Sequence, residues 1–205
     1  MIGTINRIWA WLLFTSGFLK IKLEYEGELD RGKQYVLCPN HFSYLDIPAV
    51  ALGKINAVFV GKSEMEKIPL FGWMYSKLHI TVNRDSLKSR YQTILRSLSA
   101  VDEGKSLVIF PEGGISTKNP PNMTRFKEGP FRVAIEKKIE VVPVTIYNNW
   151  RILPDIVMER RLPIHIKFHK PISTEKLTLE DMGMLKEQVF NVIDKSLKDK
   201  FDGNR

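Results

Sequence analysis

Six short apolar runs, several of them continuous and β-branched, recur along the chain at residues 34–38, 57–60, 79–82, 107–110, 141–146 and 164–168. Runs of this length without polar alternation read as strands covered on both faces. Amphipathic stretches lie between them. Ser86 is placed to cap a helix whose face carries Leu87, Tyr91, Ile94, Leu95, Leu98 and Val101 and which ends at Gly104. A shorter helix is expected over residues 131–137 and a last one over 179–197. Strands alternating with helices predict an α/β fold, a mostly parallel mixed sheet flanked by helices. With 205 residues, 43% of them hydrophobic, the chain can bury a substantial core, and one domain is the expectation.

The N-terminus has a different character. Residues 8–19 are nearly all apolar, preceded by Arg7 and followed by Lys20 and Lys22. Such a run is well short of the ~20 residues needed to span hydrocarbon, and Thr15-Ser16-Gly17 makes a poor secretory cleavage site. Trp9 and Trp11 suit the headgroup level, and the flanking cations suit anionic lipid. Residues 1–20 are therefore expected to form a membrane-interface helix, with 21–205 as the α/β domain. The alternative is a helix that caps the soluble core. The net charge of +8 fits an anionic membrane, anionic substrates or nucleic acid. Its basic residues are dispersed and no nucleic-acid module is recognisable, so nucleic acid is not an expected partner. The single cysteine, Cys38, lies in an apolar run and reads as a small buried hydrophobe in a reducing compartment.

Three segments carry possible chemistry. Asn40-His41-Phe42-Ser43-Tyr44-Leu45-Asp46 puts an imidazole and a carboxylate within one loop's reach. Pro39 ends strand pairing, and Pro48 fits only the first turn of a helix, so that helix should begin near Asp46. A carboxylate there can hold one histidine tautomer and leave the other ring nitrogen free to take a proton. It can equally be only a cap, since Ser43-x-x-Asp46 resembles a capping box. The second segment puts Lys62 after one strand and Arg84 after another, where cations could hold a phosphate. Neither Gly61-Lys62-Ser63 nor Gly104-Lys105-Ser106 is a phosphate loop, because Asn56 and Ser99 occupy the positions of its first glycine. The third segment is Phe110-Pro111-Glu112-Gly113-Gly114-Ile115-Ser116, opening an irregular connection that runs to Glu128. Its paired glycines permit backbone that other residues avoid, and Glu112 could bind a substrate hydroxyl or brace the loop. No G-x-S-x-G elbow occurs, and His79, His165 and His169 lack metal-ligand spacing.

In combination these segments resemble the glycerolipid acyltransferases, especially those acting on 1-acyl-glycerol-3-phosphate. The family's N-H-x-S-x-x-D block is met by Asn40, His41, Ser43 and Asp46, and its G-K-x-E…P-x-x-G…R block by Gly61, Lys62, Glu64, Pro69, Gly72 and Arg84. An F-P-E-G-x-x-S block is met by Phe110 to Gly113 and Ser116, followed by Phe126, Lys127 and Gly129. The apolar block around a proline resembles Val141-Val142-Pro143-Val144.

The resemblance implies a glycerolphosphate acyltransferase-like fold and an O-acyltransferase of the EC 2.3.1 type. The acyl group would pass from acyl-CoA or an acyl-carrier protein to a lysophospholipid hydroxyl. The expected acceptor is 1-acyl-glycerol-3-phosphate and the product phosphatidic acid, at the cytoplasmic face of an anionic membrane. No cofactor is implied beyond the thioester co-substrate, and no metal. His41 would be the general base, oriented by Asp46. Lys62 and Arg84 would hold the acceptor phosphate, and Asn40, Ser43, Glu112, Gly113, Gly114, Ser116 and Lys127 would shape the acceptor site. Gly114 and Ile115 stand where the family commonly has Thr-Arg, and that arginine is thought to bind phosphate. Arg125 or Lys127 could substitute for it, or the acceptor could be a lyso-aminolipid. A non-catalytic lipid-surface binding protein is the alternative of a different class.

Overall fold

A computed structural model describes residues 2–62, 77–82, 86–153 and 162–201. Seven strands form one sheet: β1 (Ile21–Tyr25), β2 (Tyr35–Pro39), β3 (Ala57–Lys62), β4 (Ile80–Val82), β5 (Ser106–Ile109), β6 (Glu140–Ile146) and β7 (Ile164–Phe168). Their order is β1-β7-β6-β2-β5-β3-β4. β6, β2, β5, β3 and β4 run parallel, while β7 is antiparallel to β6 and carries β1 parallel to itself. The mostly parallel mixed sheet read from the sequence is therefore present. Alternate residues feed two cores. Leu37, Val108, Val142, Val144, Ile146, Ile164 and Ile166 face one, and Val36, Cys38, Leu107 and Val141 the other. Continuous apolar runs are what two covered faces require.

The first core is closed by α1 (Ile2–Ser16) and α2 (Asp46–Ala51). The second is closed by α3 (Leu87–Asp102), α4 (Gly129–Lys137) and α6 (Met182–Phe201). A one-turn helix, α5 (Asn149–Ile152), follows β6, and a 3-10 turn at Leu179–Asp181 leads into α6.

Two sequence expectations are adjusted, at β1 and in α3, and the N-terminal helix takes the alternative that the sequence left open. β1 was not expected, yet its alternation is regular: Ile21, Leu23 and Tyr25 pack on the first core, and Lys22 pairs with Glu24 on the other side. α1 lies within the expected residues 1–20, ending at Ser16, and packs on the first core. Asn6, Ala10 and Phe14 are buried, Gly3 N–H donates to Asn56 Oδ1, and Arg7 donates to the carbonyls of Gly53 and Lys54. Its opposite side exposes Ile5, Ile8, Trp11, Leu12 and Leu13. No described helix is long and apolar enough to cross a membrane. In α3 the Ser86 cap forms, its hydroxyl accepting from Ser89 N–H, and Ile94, Leu98 and Val101 of the expected face pack on the second core, but the face is shifted. Thr93, Ser97, Ala100 and Val101 are buried, while Tyr91 and Leu95 are exposed.

Cys38 is fully buried and burial pushes its thiol far above the usual range, so it packs rather than reacts. His79 is a structural histidine. Its Nδ1 accepts from Phe59 N–H at 3.2 Å beside the start of β4, and burial lowers its pKa from 6.5 to about 4. The unfolded chain protonates this group first, so its contribution is complete above pH 6.5 and is lost as pH falls toward about 4. Urea unfolding should show wild type losing about 3 kcal/mol more than His79→Asn between pH 7.5 and pH 4. Equal losses would assign the acid sensitivity elsewhere.

Candidate active site

β2 ends at Pro39, and the next residue anchors the site. Asn40 is fully buried and its amide reproduces a strand pairing with Ile146: Nδ2 donates to the Ile146 carbonyl at 3.0 Å, and Oδ1 accepts from Ile146 N–H at 2.7 Å. It braces the ends of β2 and β6 against each other. Both ends of its amide are engaged in this clasp.

The chain then turns, and residues 41–43 fold over the start of α2. Asp46 is the first residue of that helix, with Pro48 buried within its first turn. Asp46 Oδ2 lies 3.1 Å from His41 Nδ1 and accepts from the N–H groups of Phe42 at 2.7 Å and Ser43 at 2.8 Å. Asp46 Oδ1 accepts from Asn149 Nδ2 at 3.0 Å. One carboxylate therefore closes the turn before α2 and orients the histidine, while the helix start itself has no side-chain cap. Because ionised Asp only accepts, the His41 tautomer has its proton on Nδ1, which leaves Nε2 as a lone-pair acceptor. Among the described residues nothing donates to that Nε2. The ring stacks on Phe110, centroids 4.1 Å apart, and is held by that contact and the Asp46 bond.

Glu112 joins this turn to the long loop. Its Oε1 accepts from His41 N–H at 2.8 Å, and its Oε2 accepts from both N–H and hydroxyl of Thr124 at 2.9 Å. Burial raises the Glu112 pKa from its usual value, and the hydrogen bonds from Thr124 and His41 work against that rise. Both oxygens are used, so of its two expected roles Glu112 is placed in the bracing one. Ser116 also braces: its hydroxyl is 2.9 Å from Thr124 Oγ1. Ser43 Oγ accepts from Leu45 N–H at 3.3 Å and is buried within the turn.

Gly113 and Gly114 have φ of +77° and +154°, which explains two glycines in succession. Lys127 is tied back by its N–H to the Pro111 carbonyl at 2.8 Å, and its exposed side chain crosses Gly113. A Cβ on Gly113 would meet Lys127 Nζ at 2.6 Å. A cation thus lies over the loop in which Ile115 takes the place of the family's arginine. Lys62 ends β3, but its side chain lies outside the described residues, as do Glu64, Pro69, Gly72 and Arg84. No metal-ligand cluster occurs among the described residues.

Two members of the site were not foreseen. Thr124 offered no signal beyond lying in the expected functional loop. Asn149 lies three residues past β6, the strand of the fourth block, and only the fold brings it to Asp46.

Comparison with known proteins matches this architecture. A family model described as Acyltransferase matches residues 20–147, which include all four blocks. The chain belongs to the acyltransferase family. Among its relatives, a 1-acyl-sn-glycerol-3-phosphate acyltransferase of Saccharomyces cerevisiae is 31% identical over 188 residues, 88% of this chain and 61% of that protein. One from Borreliella burgdorferi is 27% identical over 183 residues, 87% of this chain and 70% of that protein. The chain spans only 52% of a similarly named Chlamydomonas reinhardtii relative. The crystal structure of the LPA acyltransferase PlsC from Thermotoga maritima superposes with a TM-score of 0.75 at 21% identity, covering 96% of this chain and 78% of that one. That likeness establishes the shared fold of this acyltransferase-family chain.

Proposed function

We propose that the protein is a membrane-surface O-acyltransferase that moves a fatty acyl group from an acyl thioester to the free hydroxyl of a lysophospholipid, 1-acyl-glycerol-3-phosphate in the leading reading. The observation that carries it is the buried His41–Asp46 pair with an Nε2 that no described group occupies. Nε2 removes the proton of the acceptor hydroxyl, whose oxygen attacks the thioester carbonyl carbon. Collapse of the tetrahedral species breaks the carbon–sulfur bond, and the departing thiolate takes the proton from the imidazolium. The products are an ester and a free thiol, with no covalent acyl-enzyme. Acyl-CoA or an acyl-carrier protein serves as co-substrate and no cofactor is needed.

Three features support the lipid-facing part. α1 exposes an apolar side, as noted above. Phe18, 93% exposed, lies in the turn before β1, and the Lys20 carbonyl of that turn accepts from Ile164 N–H at the end of the sheet where Asn40 clasps Ile146. Tyr44, 69% exposed, is three residues from His41. Apolar side chains at the same end as the base would let a lysolipid reach it from the cytoplasmic leaflet. Lys127 is the cation proposed for an acceptor phosphate, with Lys62 and Arg84 as further candidates. Ile115 at the family's arginine position favours a second reading in which the acceptor is a lyso-aminolipid.

The test is thiol release from acyl-CoA and from acyl-carrier protein on vesicles containing either lysophosphatidic acid or a lyso-aminolipid. The expected result is release that depends on one of these acceptors and matches the ester formed. Release no faster than without protein, for every pair, would instead leave a non-catalytic lipid-binding protein.

A further inference from the structure

Asp46 makes one contact that neither the motif nor the mechanism above requires. Its Oδ2 is saturated by the turn itself, through His41 Nδ1 and the N–H groups of Phe42 and Ser43. Its Oδ1 receives a single donor, Asn149 Nδ2 at 3.0 Å, from 103 residues further along the chain. A carboxylate held through one oxygen can pivot about it; a donor on the second oxygen fixes its plane. We propose that Asn149 is a positioning residue, acting through Asp46 to hold the His41 imidazole in the tautomer and orientation that base catalysis needs. The proposal rests on the acyl-transfer reading of the same site.

Two observations argue that this contact serves the site rather than the fold. Asn149 and Asp46 are each 1% exposed, yet only one end of the Asn149 amide is used: Oδ1 is buried with no partner among the described residues. A buried amide with an orphaned carbonyl detracts from stability, so it makes a poor structural staple. Its orientation is fixed by chemistry, because turning the amide over would set its oxygen against a carboxylate oxygen. The second observation is where the donor comes from. Asn149 opens α5 just past β6, and Ile146 at the end of β6 is clasped by Asn40, the neighbour of His41. Two asparagines thus tie the catalytic turn to the end of β6 and the helix that follows it, Asn40 by bonding the Ile146 backbone and Asn149 by bonding the Asp46 carboxylate.

The experiment uses the full chain and two replacements. Asn149→Leu removes the donor and the orphaned carbonyl together. Asn149→Asp keeps the shape, removes the donor and places a second acceptor beside Asp46. Steady-state kinetics with acyl thioester and lysolipid should show kcat lower by about 10²-fold, as for a misplaced reacting group, with both KM values within about twofold of wild type. In ¹⁵N-histidine spectra, with His41 assigned from its absence in His41→Ala, a single Nδ1–H tautomer in wild type should become a mixture in both variants. Should the leucine variant fail to fold, the isosteric aspartate variant carries the test. A kcat within about twofold of wild type in a folded variant, or a lower kcat with an unchanged His41 tautomer, overturns the proposal. If His41→Ala itself keeps full activity, the reading of His41 as the base fails, while the spectra still report whether Asn149 orients the ring.

Discussion

His41→Ala lowers the turnover of acyl transfer by about 10²–10⁴-fold, the range expected when a positioned general base is removed, and leaves the protein folded. The fold survives because the replacement empties little of either core. The ring contributes its stacking on Phe110 and one bond to Asp46, and Asp46 keeps its other three donors. The lost hydrogen bond to a charged group is worth about 1.5–3 kcal/mol, a tolerable loss for a domain of this size. KM for the thioester should be nearly unchanged, because the imidazole acts on the acceptor proton as the bond forms. The decisive readout is turnover at matched concentrations of folded protein, checked by circular dichroism. A folded His41→Ala variant with wild-type turnover would remove the histidine from the mechanism.

Asp46→Ala has a different signature: turnover and stability are lost together. Removal of the carboxylate leaves the N–H groups of Phe42 and Ser43 and the Asn149 amide without their acceptor inside a buried turn. Each abandoned donor costs about 1–3 kcal/mol, and breaking a buried charge-centred network costs about 3–5 kcal/mol as a whole. The start of α2 loses its anchor at the same time. Chemical denaturation should therefore show Asp46→Ala several kcal/mol below His41→Ala, with activity at background in both. Asp46→Asn separates the two roles. Its amide oxygen can still accept from the turn, so stability falls less, but its amino group then faces the Asn149 donor and the charge that steadies an imidazolium is gone. An Asp46→Ala variant as stable as wild type would mean that the turn does not depend on this carboxylate.

How far the site was legible follows from sequence separation. His41 and Asp46 are five residues apart, and the prolines on either side limit the turn between them, so their pairing could be argued from local chemistry. Asn40 meets Ile146 and Asp46 meets Asn149 across more than a hundred residues, and no local pattern encodes either contact. For that reason neither the clasp that Asn40 makes nor the contact from Asn149 was expected. The strands were legible where both faces are apolar. β1 was missed because it is an edge strand beginning directly after an apolar helix, so its alternation merged with the N-terminal segment. The buried face of α3 was legible in part: Ile94, Leu98 and Val101 pack on the core as their apolar spacing indicates, whereas Thr93, Ser97 and Ala100 beside them carry no apolar signal strong enough to place them.

Direct transfer by a histidine base makes one further demand, on the order of events. In rapid-quench measurements with acyl thioester and excess protein, thiol should stay bound as thioester until lysophospholipid is added, and then appear in step with the new ester. A burst of thiol approaching the amount of thioester supplied, before any acceptor is present, would mean that the acyl group first passes to the protein, and would contradict the account.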